Sequence, residues 1–236
     1  MIDAVAAIPH RAATQCPKVI VTGDFFLRFN PAFMEGVHER YAQHGIILVP
    51  AGLNELLLYA AYAGMAGAAR DWRLPPDSGR TVARAAARFF QPAGRDYLAS
   101  WAGYRWLKYN DEHYRTRLGR TGLLAGGAHD IASLLQRAAQ HISPAVGGEA
   151  IPTVGKGVAA GAEGYDGIIA VGPFNCLPFR ISEAILKPFG WAGGMPVLTY
   201  ESDGFSVHPA FLRQVDVHIQ QVHARWSSSR RLGRRS

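Results

Sequence analysis

This sequence has no long apolar run, no signal-like pattern in its first residues and few cysteines. No stretch of 18 consecutive apolar residues occurs, so we expect no transmembrane helix. The first 13 residues include Asp3 and only a short apolar patch, which is not the pattern of a secretory signal. Two cysteines, Cys16 and Cys176, predict neither a disulfide framework nor a complete thiolate cage, and they indicate a reducing, cytoplasmic compartment.

Acidic residues are fewer than basic residues: the sequence has 18 Asp and Glu and 25 Lys and Arg, for a formal net charge of +7. The Ser- and Arg-rich segment 227–236 is expected to be a basic, disordered tail. Its positive charges lie at Arg230, Arg231, Arg234 and Arg235. Nucleic-acid binding through this tail, together with the basic and aromatic middle of the sequence, is the least favoured hypothesis, and it predicts a steep salt dependence of binding.

The sequence does contain a regular alternation of strand-like and helix-like segments. Short β-branched runs bounded by Gly or Pro are typical of buried parallel strands, and amphipathic segments separate them. This order predicts an α/β protein with a Rossmann-like parallel sheet flanked by helices. The predicted strands cover 18–25, 46–50, 167–171 and 196–200, and the predicted helices cover 31–44, 54–63, 128–141, 148–163, 181–186 and 209–226.

The middle of the sequence lacks any strand pattern and is rich in arginine and aromatic residues. We expect a helical lobe at about 70–145, inserted into an α/β module of residues 18–226 that follows an N-terminal extension of residues 1–17. Arg80, Arg84 and Arg88 recur every four residues and would line one helix face. Two interpretations stay open: a solvated helix face, or a surface for anionic phosphates or a partner protein.

A glycine motif precedes the third predicted strand. Gly155, Gly157 and Gly161 resemble a dinucleotide-binding fingerprint only loosely, because a polar segment rather than a strand leads into them. Close packing between helices is therefore the better interpretation.

The segment after the third predicted strand, residues 172–178 (GPFNCLP), carries the best candidate for chemistry. Ligands of open α/β sheets gather at the carboxyl ends of the strands. Cys176 lies there between two prolines, just before a predicted helix whose N-terminus favours a thiolate. The alternative is a structural role, since free cysteines are often small buried residues.

Two blocks of this sequence resemble a known family. The segment 148–187 begins with GEAIP, continues through GYDGII and reaches PFNCLP, and it closely resembles the C-terminal module of the 2-hydroxyacyl-CoA dehydratase component family, which includes modules fused to acyl-CoA dehydratase activases. Its motif residues are Gly148, Glu149, Asp166, Pro173, Phe174, Cys176 and Pro178. The segment 18–29 is similar to the family's Gly-Glu-x-x-x-Arg strand, with Gly23 and Arg28 matching and Asp24 in place of Glu.

The resemblance implies a component of a lyase that acts in ATP-driven radical dehydration. In that family, cysteine thiolates hold a [4Fe–4S] cluster, an activase ATPase supplies one electron, and water leaves a 2-hydroxyacyl-CoA through ketyl radicals. Cys176 would be a ligand of the cluster. The implied partners are the activase or a second dehydratase subunit, together with acyl-CoA, and the arginines 80, 84 and 88 would face coenzyme A phosphates or the activase.

The sequence departs from this family in its cysteine content. A [4Fe–4S] cluster usually takes four thiolates, and here Cys176 alone matches the motif. Three explanations stay open: this sequence is part of a longer protein, a partner completes the cluster, or the chain keeps the fold without the cluster as a non-catalytic scaffold or interaction subunit. Glu149 and Asp166 also fit structural roles, in capping a helix and in fixing a turn.

Overall fold

The computed structural model describes two isolated residues and five longer segments of the chain. These are Ala4, Ala7 and residues 15–34, 36–71, 92–119, 130–205 and 207–231. The chain divides into two compact units, one made of Met1–Gly52 with Arg117–Ser236 and the other of Leu53–Thr116.

The first unit contains a four-stranded sheet in which all neighbouring strands are parallel, in the order β2-β1-β3-β4. The strands are β1 Lys18–Gly23, β2 Ile47–Pro50, β3 Gly167–Pro173 and β4 Val197–Ser202. The β-branched runs occupy the two central strands, which are buried on both faces. The predicted α/β class with a parallel sheet flanked by helices is thereby confirmed.

Eight α-helices are described. They are α1 Phe25–Phe29, α2 Val37–Gln43, α3 Leu53–Asp71, α4 Pro92–Gly119, α5 Ile131–Ala138, α6 Ala150–Ala159, α7 Leu177–Gly193 and α8 Pro209–Arg231, with 3₁₀ helices at Pro31–Phe33 and Pro144–Val146. None of the described helices combines the length and the apolar character that a membrane crossing requires.

Helices cover the sheet on both faces, because alternate residues of each strand point to opposite sides. On one face, Val19 and Val21 of β1 pack with apolar side chains of α2 and α8, such as Val37 and Val215. On the other face, side chains of the sheet pack beside α6 and α7 in two smaller clusters. These contain Ile20, Ala160, Tyr165, Ile168 and Met195, and Ala170, Phe179 and Leu186.

The glycine motif serves the packing of α6. A Cβ on Gly155 would lie 2.6 Å from Leu134 Cδ2 of α5, and a Cβ on Gly157 would lie 2.3 Å from Leu186 Cδ2 of α7. Both distances are too short for a side chain. The prediction that these glycines allow close helix packing is confirmed.

The described part of the second unit consists of α3 and most of α4. Tyr62 and Tyr104 make an edge-to-face ring contact at 5.9 Å, and Asn54 donates to Asp111 at 3.0 Å. This unit begins before the expected insertion of residues 70–145, and α5 belongs instead to the first unit, where its Leu134 packs on α6. Arg80, Arg84 and Arg88 lie outside the described residues.

Two predicted helix boundaries are wrong. The expected helix 31–44 is split, because Gly36 adopts a left-handed conformation (φ 70°) between the first 3₁₀ helix and α2. Pro188 lies inside α7 instead of ending a helix at residue 186. Packing on both sides of the proline explains this continuation: Leu186 is buried, and Gly190 packs closely on Val197 of β4.

The expected disordered tail is helical over its first part, since α8 continues through Arg231. The guanidinium of Arg230 lies over the ring of Trp226 at 4.7 Å, a cation–π contact that stabilises this last turn. Arg234 and Arg235 lie outside the described residues.

Candidate functional site

The turn between β1 and α1 builds one side of the carboxyl edge of the sheet. The backbone N–H of Asp24 donates to the carbonyl of Val171 on β3 at 2.8 Å. The Asp24 carboxylate accepts from the N–H of Leu27 at 2.9 Å and so caps α1. Arg28 is buried, and its Nη1 donates to the carbonyl of Gly23 at 2.7 Å. A carboxylate and a guanidinium are thus both held by backbone contacts at the end of a central strand.

Glu149 reaches the same place from the N-terminus of α6. Burial raises the pKa of its carboxyl above the ordinary value of 4.5, and the nearby charge of Asp24 raises it further. The Arg28 guanidinium and the backbone N–H of Phe25 oppose that shift. The Glu149 side chain makes no capping hydrogen bond to its own helix. It therefore belongs to a charged cluster with Asp24 and Arg28, which are two of the three charged residues of the other block with family resemblance.

Replacing Glu149 with glutamine is expected to stabilise the protein at neutral pH. Because the pKa is higher in the folded protein than in the unfolded chain, the folded state binds more protons between the two values, and stability falls as pH rises through that window. Glutamine does not titrate, so Glu149→Gln does not lose stability in this way. Its free energy of unfolding should therefore exceed that of the wild type at pH 7, and the difference should disappear below the ordinary pKa of a glutamate.

Urea unfolding of both proteins across this pH range measures the effect. Glu112→Gln is the control, because Glu112 is an exposed glutamate whose ion pair with Lys108 is long, at 3.9 Å. An equal pH dependence of wild type and Glu149→Gln would contradict the expected coupling.

Cys176 lies at the N-cap of α7, beyond the carboxyl end of β3. Its N–H donates to the carbonyl of Pro173 at 3.2 Å, which closes a tight turn in which Asn175 has a left-handed φ of 59°. The residue is half-buried and packs beside the cluster of Ala170 and Phe179. Its thiol thus lies at the start of the 17-residue helix α7.

The motif residues of the second block partly converge at this edge. A Cβ on Gly148 would lie 3.9 Å from Cγ of Pro178, so the loop before α6 lies beside the start of α7. Asp166 instead lies at the opposite edge of the sheet, where it is fully buried. Its N–H donates to the carbonyl of Lys18 at 2.7 Å, and its carboxylate accepts from the N–H of Lys18 at 3.0 Å. Asp166 therefore joins the amino ends of β1 and β3.

The two cysteines lie at opposite edges of the sheet. Cys16 precedes β1, whereas Cys176 follows β3, and β1 pairs with β3 in parallel. The six residues of β1 alone span roughly 20 Å at about 3.3 Å per residue. This separation is far too long for a disulfide or for ligation of one cluster by both thiols.

A [4Fe–4S] cluster held by this chain alone does not fit the side chains that are present. The described residues contain no group of three or more His, Cys, Asp or Glu side chains that could hold a metal ion. The whole sequence has two cysteines, and they lie too far apart to share a site. At this edge the chain offers a single cysteine side chain, that of Cys176.

Large apolar side chains are exposed around the same edge. We call them the carboxyl-edge rim, since each follows the end of β1, β3 or β4. They are Phe25, Phe26, Phe29, Phe174, Leu177 and Phe205, with Phe174 and Leu177 68% and 70% exposed. Apolar surface of this kind is common where another protein binds.

The structure also contains a buried pair that motif analysis does not single out. Tyr41 of α2 and His218 of α8 lie 2.6 Å apart, measured from Oη to Nδ1. Burial lowers the pKa of His218 to about 4, and burial also raises the pKa of Tyr41, so the hydroxyl donates to a neutral imidazole. The signal in the sequence is spacing, because His218 falls within the stripe Phe211, Val215 and Val222.

Comparisons of the chain with protein-family models, with curated proteins and with solved structures return no match.

Proposed function

We propose that this chain is an α/β subunit of a 2-hydroxyacyl-CoA dehydratase-type assembly and that it binds a cysteine-rich partner subunit through the carboxyl edge of its sheet. In this role it is an interaction subunit that holds no complete cluster of its own. The observation that carries the proposal is the hydrogen bond from the N–H of Asp24 to the carbonyl of Val171 at 2.8 Å, which joins the two blocks of family resemblance at one edge of the sheet. The charges of Asp24 and Arg28 also act on Glu149 there.

The chemistry of this edge supports a protein partner. The carboxyl-edge rim offers exposed apolar area at the point where ligands of parallel sheets bind. The charged cluster behind it is held by backbone contacts: Asp24 is tied to β3, and Arg28 is tied to the end of β1. A partner that covers the rim would bury a surface whose shape these contacts fix in advance.

A second role for the same edge is favoured by the position of Cys176. Its thiolate would be one ligand of a [4Fe–4S] cluster whose other ligands come from the partner, and the cluster would supply electron transfer there. The chain's own part in this arrangement is to present one thiolate at a helix N-terminus on a stiff turn.

Anaerobic reconstitution with ferrous iron and sulfide separates the two roles. For the chain alone we expect no stoichiometric cluster absorption or EPR signal in the wild type, in Cys176→Ser or in the matched control Cys16→Ser. A full cluster in the isolated wild type that Cys176→Ser abolishes would overturn the interaction role. In a mixture with the cysteine-rich subunit, a signal lost in Cys176→Ser and kept in Cys16→Ser assigns the ligand.

Binding of the partner is tested at the rim itself. Phe174→Asp and Leu177→Asp are expected to weaken association by tenfold or more, on the order of the loss for a buried apolar anchor. The control is Trp106→Asp, which changes a side chain that is 65% exposed in the other unit. Equal affinity of all three variants by calorimetry would refute the proposed interface.

A further inference from the structure

The outer edge of β4 has an alternating set of backbone groups that face away from the sheet. β4 is the last strand of the sheet. The carbonyl of Pro196, just before β4, accepts from the N–H of Ile168 at 2.9 Å, and the carbonyl of Ser202 accepts from the N–H of Phe174, just after β3, at 2.7 Å. Because successive residues of a strand direct their N–H and C=O groups to opposite sides, those of Val197, Thr199 and Glu201 face outward. In the part of the chain that the structure describes, no strand pairs with this side of β4.

A groove runs along this edge between two helices. Two clefts of about 610 and 500 Å³ form it, and they share Val197 and Gln221. Its floor is the amino-terminal half of β4, and its walls are α7 with Trp191 and α8 with Val217. Trp191 is 90% exposed and Val217 is 54% exposed, so apolar contacts are available on both walls.

The charged residues that line the groove are basic. Lys187, Arg213 and Arg225 line the two clefts, and neither cleft is lined by a described Asp or Glu. Arg213 is an exposed residue of α8, whereas Lys187 forms an ion pair with Glu183 and Arg225 donates to the carbonyl of Gly194. An occupant of opposite charge is favoured here, while a second copy of the chain would bring the same cations to the same edge.

We propose that the outer edge of β4 binds an extended, acidic segment of a partner protein, which adds to the sheet as a fifth strand. Exposed strand edges bind peptides through their backbone groups, and the flanking surfaces then select the side chains. Side chains of the added strand would alternate between the wall that holds Trp191 and the wall that holds Val217. This surface is separate from the carboxyl-edge rim, so the inference does not depend on the proposed function.

Hydrogen exchange of the full chain with defined peptides tests this site. The probe is an acetylated and amidated peptide of alternating valine and glutamate, six residues long to match the six residues of β4. We expect it to slow exchange of the amides of Val197, Thr199 and Glu201. A version with methylated backbone nitrogens is expected to bind at least about tenfold more weakly, because the hydrogen bonds to the edge are lost.

Reversal of one positive charge beside the β4 groove supplies the second measurement. Arg213→Glu is expected to weaken binding of the acidic peptide about two- to fivefold, and the matched control Arg137→Glu, an exposed arginine on α5, is expected to leave it unchanged. Equal binding of the methylated peptide would overturn the proposal. Protection of the same amides by self-association, or by a single-stranded oligonucleotide in place of the peptide, would also overturn it.

Discussion

Replacing Gly23 with alanine is expected to lower the free energy of unfolding by at least about 3 kcal/mol. Gly23 ends β1 with a φ of 104°, which L side chains rarely adopt, and a Cβ there would lie 2.0 Å from the carbonyl oxygen of Val171. Both atoms belong to paired central strands, so neither can move away without breaking the pairing of β1 and β3. The same shift would displace the turn that holds Asp24 and Arg28.

Gly36→Ala is the matched control for this substitution. Gly36 also has a positive φ, at 70°, but a Cβ there meets nothing within 4 Å. We expect a loss of about 1–2 kcal/mol, which reflects the backbone conformation alone. Urea unfolding of both variants measures the difference, which isolates the clash with Val171. Equal losses would show that the close approach of β1 and β3 is absent in solution.

The folded protein is expected to lose about 3 kcal/mol of stability through His218 as the pH falls from 6.5 to about 4. The pKa of this buried imidazole is lower in the folded protein than in the unfolded chain, so the unfolded chain binds more protons in that window. Its contribution is therefore complete above pH 6.5 and declines as the pH falls toward 4. Each unit of pKa corresponds to about 1.4 kcal/mol.

Asp and Glu side chains titrate over part of the same pH range. Comparison of His218→Gln with the wild type separates the contribution of His218 to stability from theirs. Glutamine can accept the hydrogen bond from Tyr41 but does not titrate, so the variant should show a shallower loss of stability with acid. His223→Gln, on the same helix and half-buried, is the control and should retain the wild-type slope. Parallel pH profiles for His218→Gln and the wild type would contradict a buried neutral imidazole.

The sequence by itself determined the class of the fold and most of its elements. The β-branched runs at 18–25 and 167–171 became the central strands because a strand buried on both faces needs apolar side chains on both faces. Phe211, Val215, Ile219 and Val222 became the buried face of α8, because apolar side chains at a spacing of three to four residues lie on one side of a helix. These are local patterns, and burial acts on each of them directly.

The tertiary structure alone decided which distant residues meet. Strand order places β1 beside β3, and this pairing brings Asp24 and Arg28 to Glu149 while it separates Cys16 from Cys176. Packing also overrode local signals, as α7 continues through Pro188 because Leu186 and Gly190 are both held by their neighbours. Sequence spacing carries no information on contacts between segments more than 100 residues apart, because those contacts depend on the free energy of the whole packed arrangement.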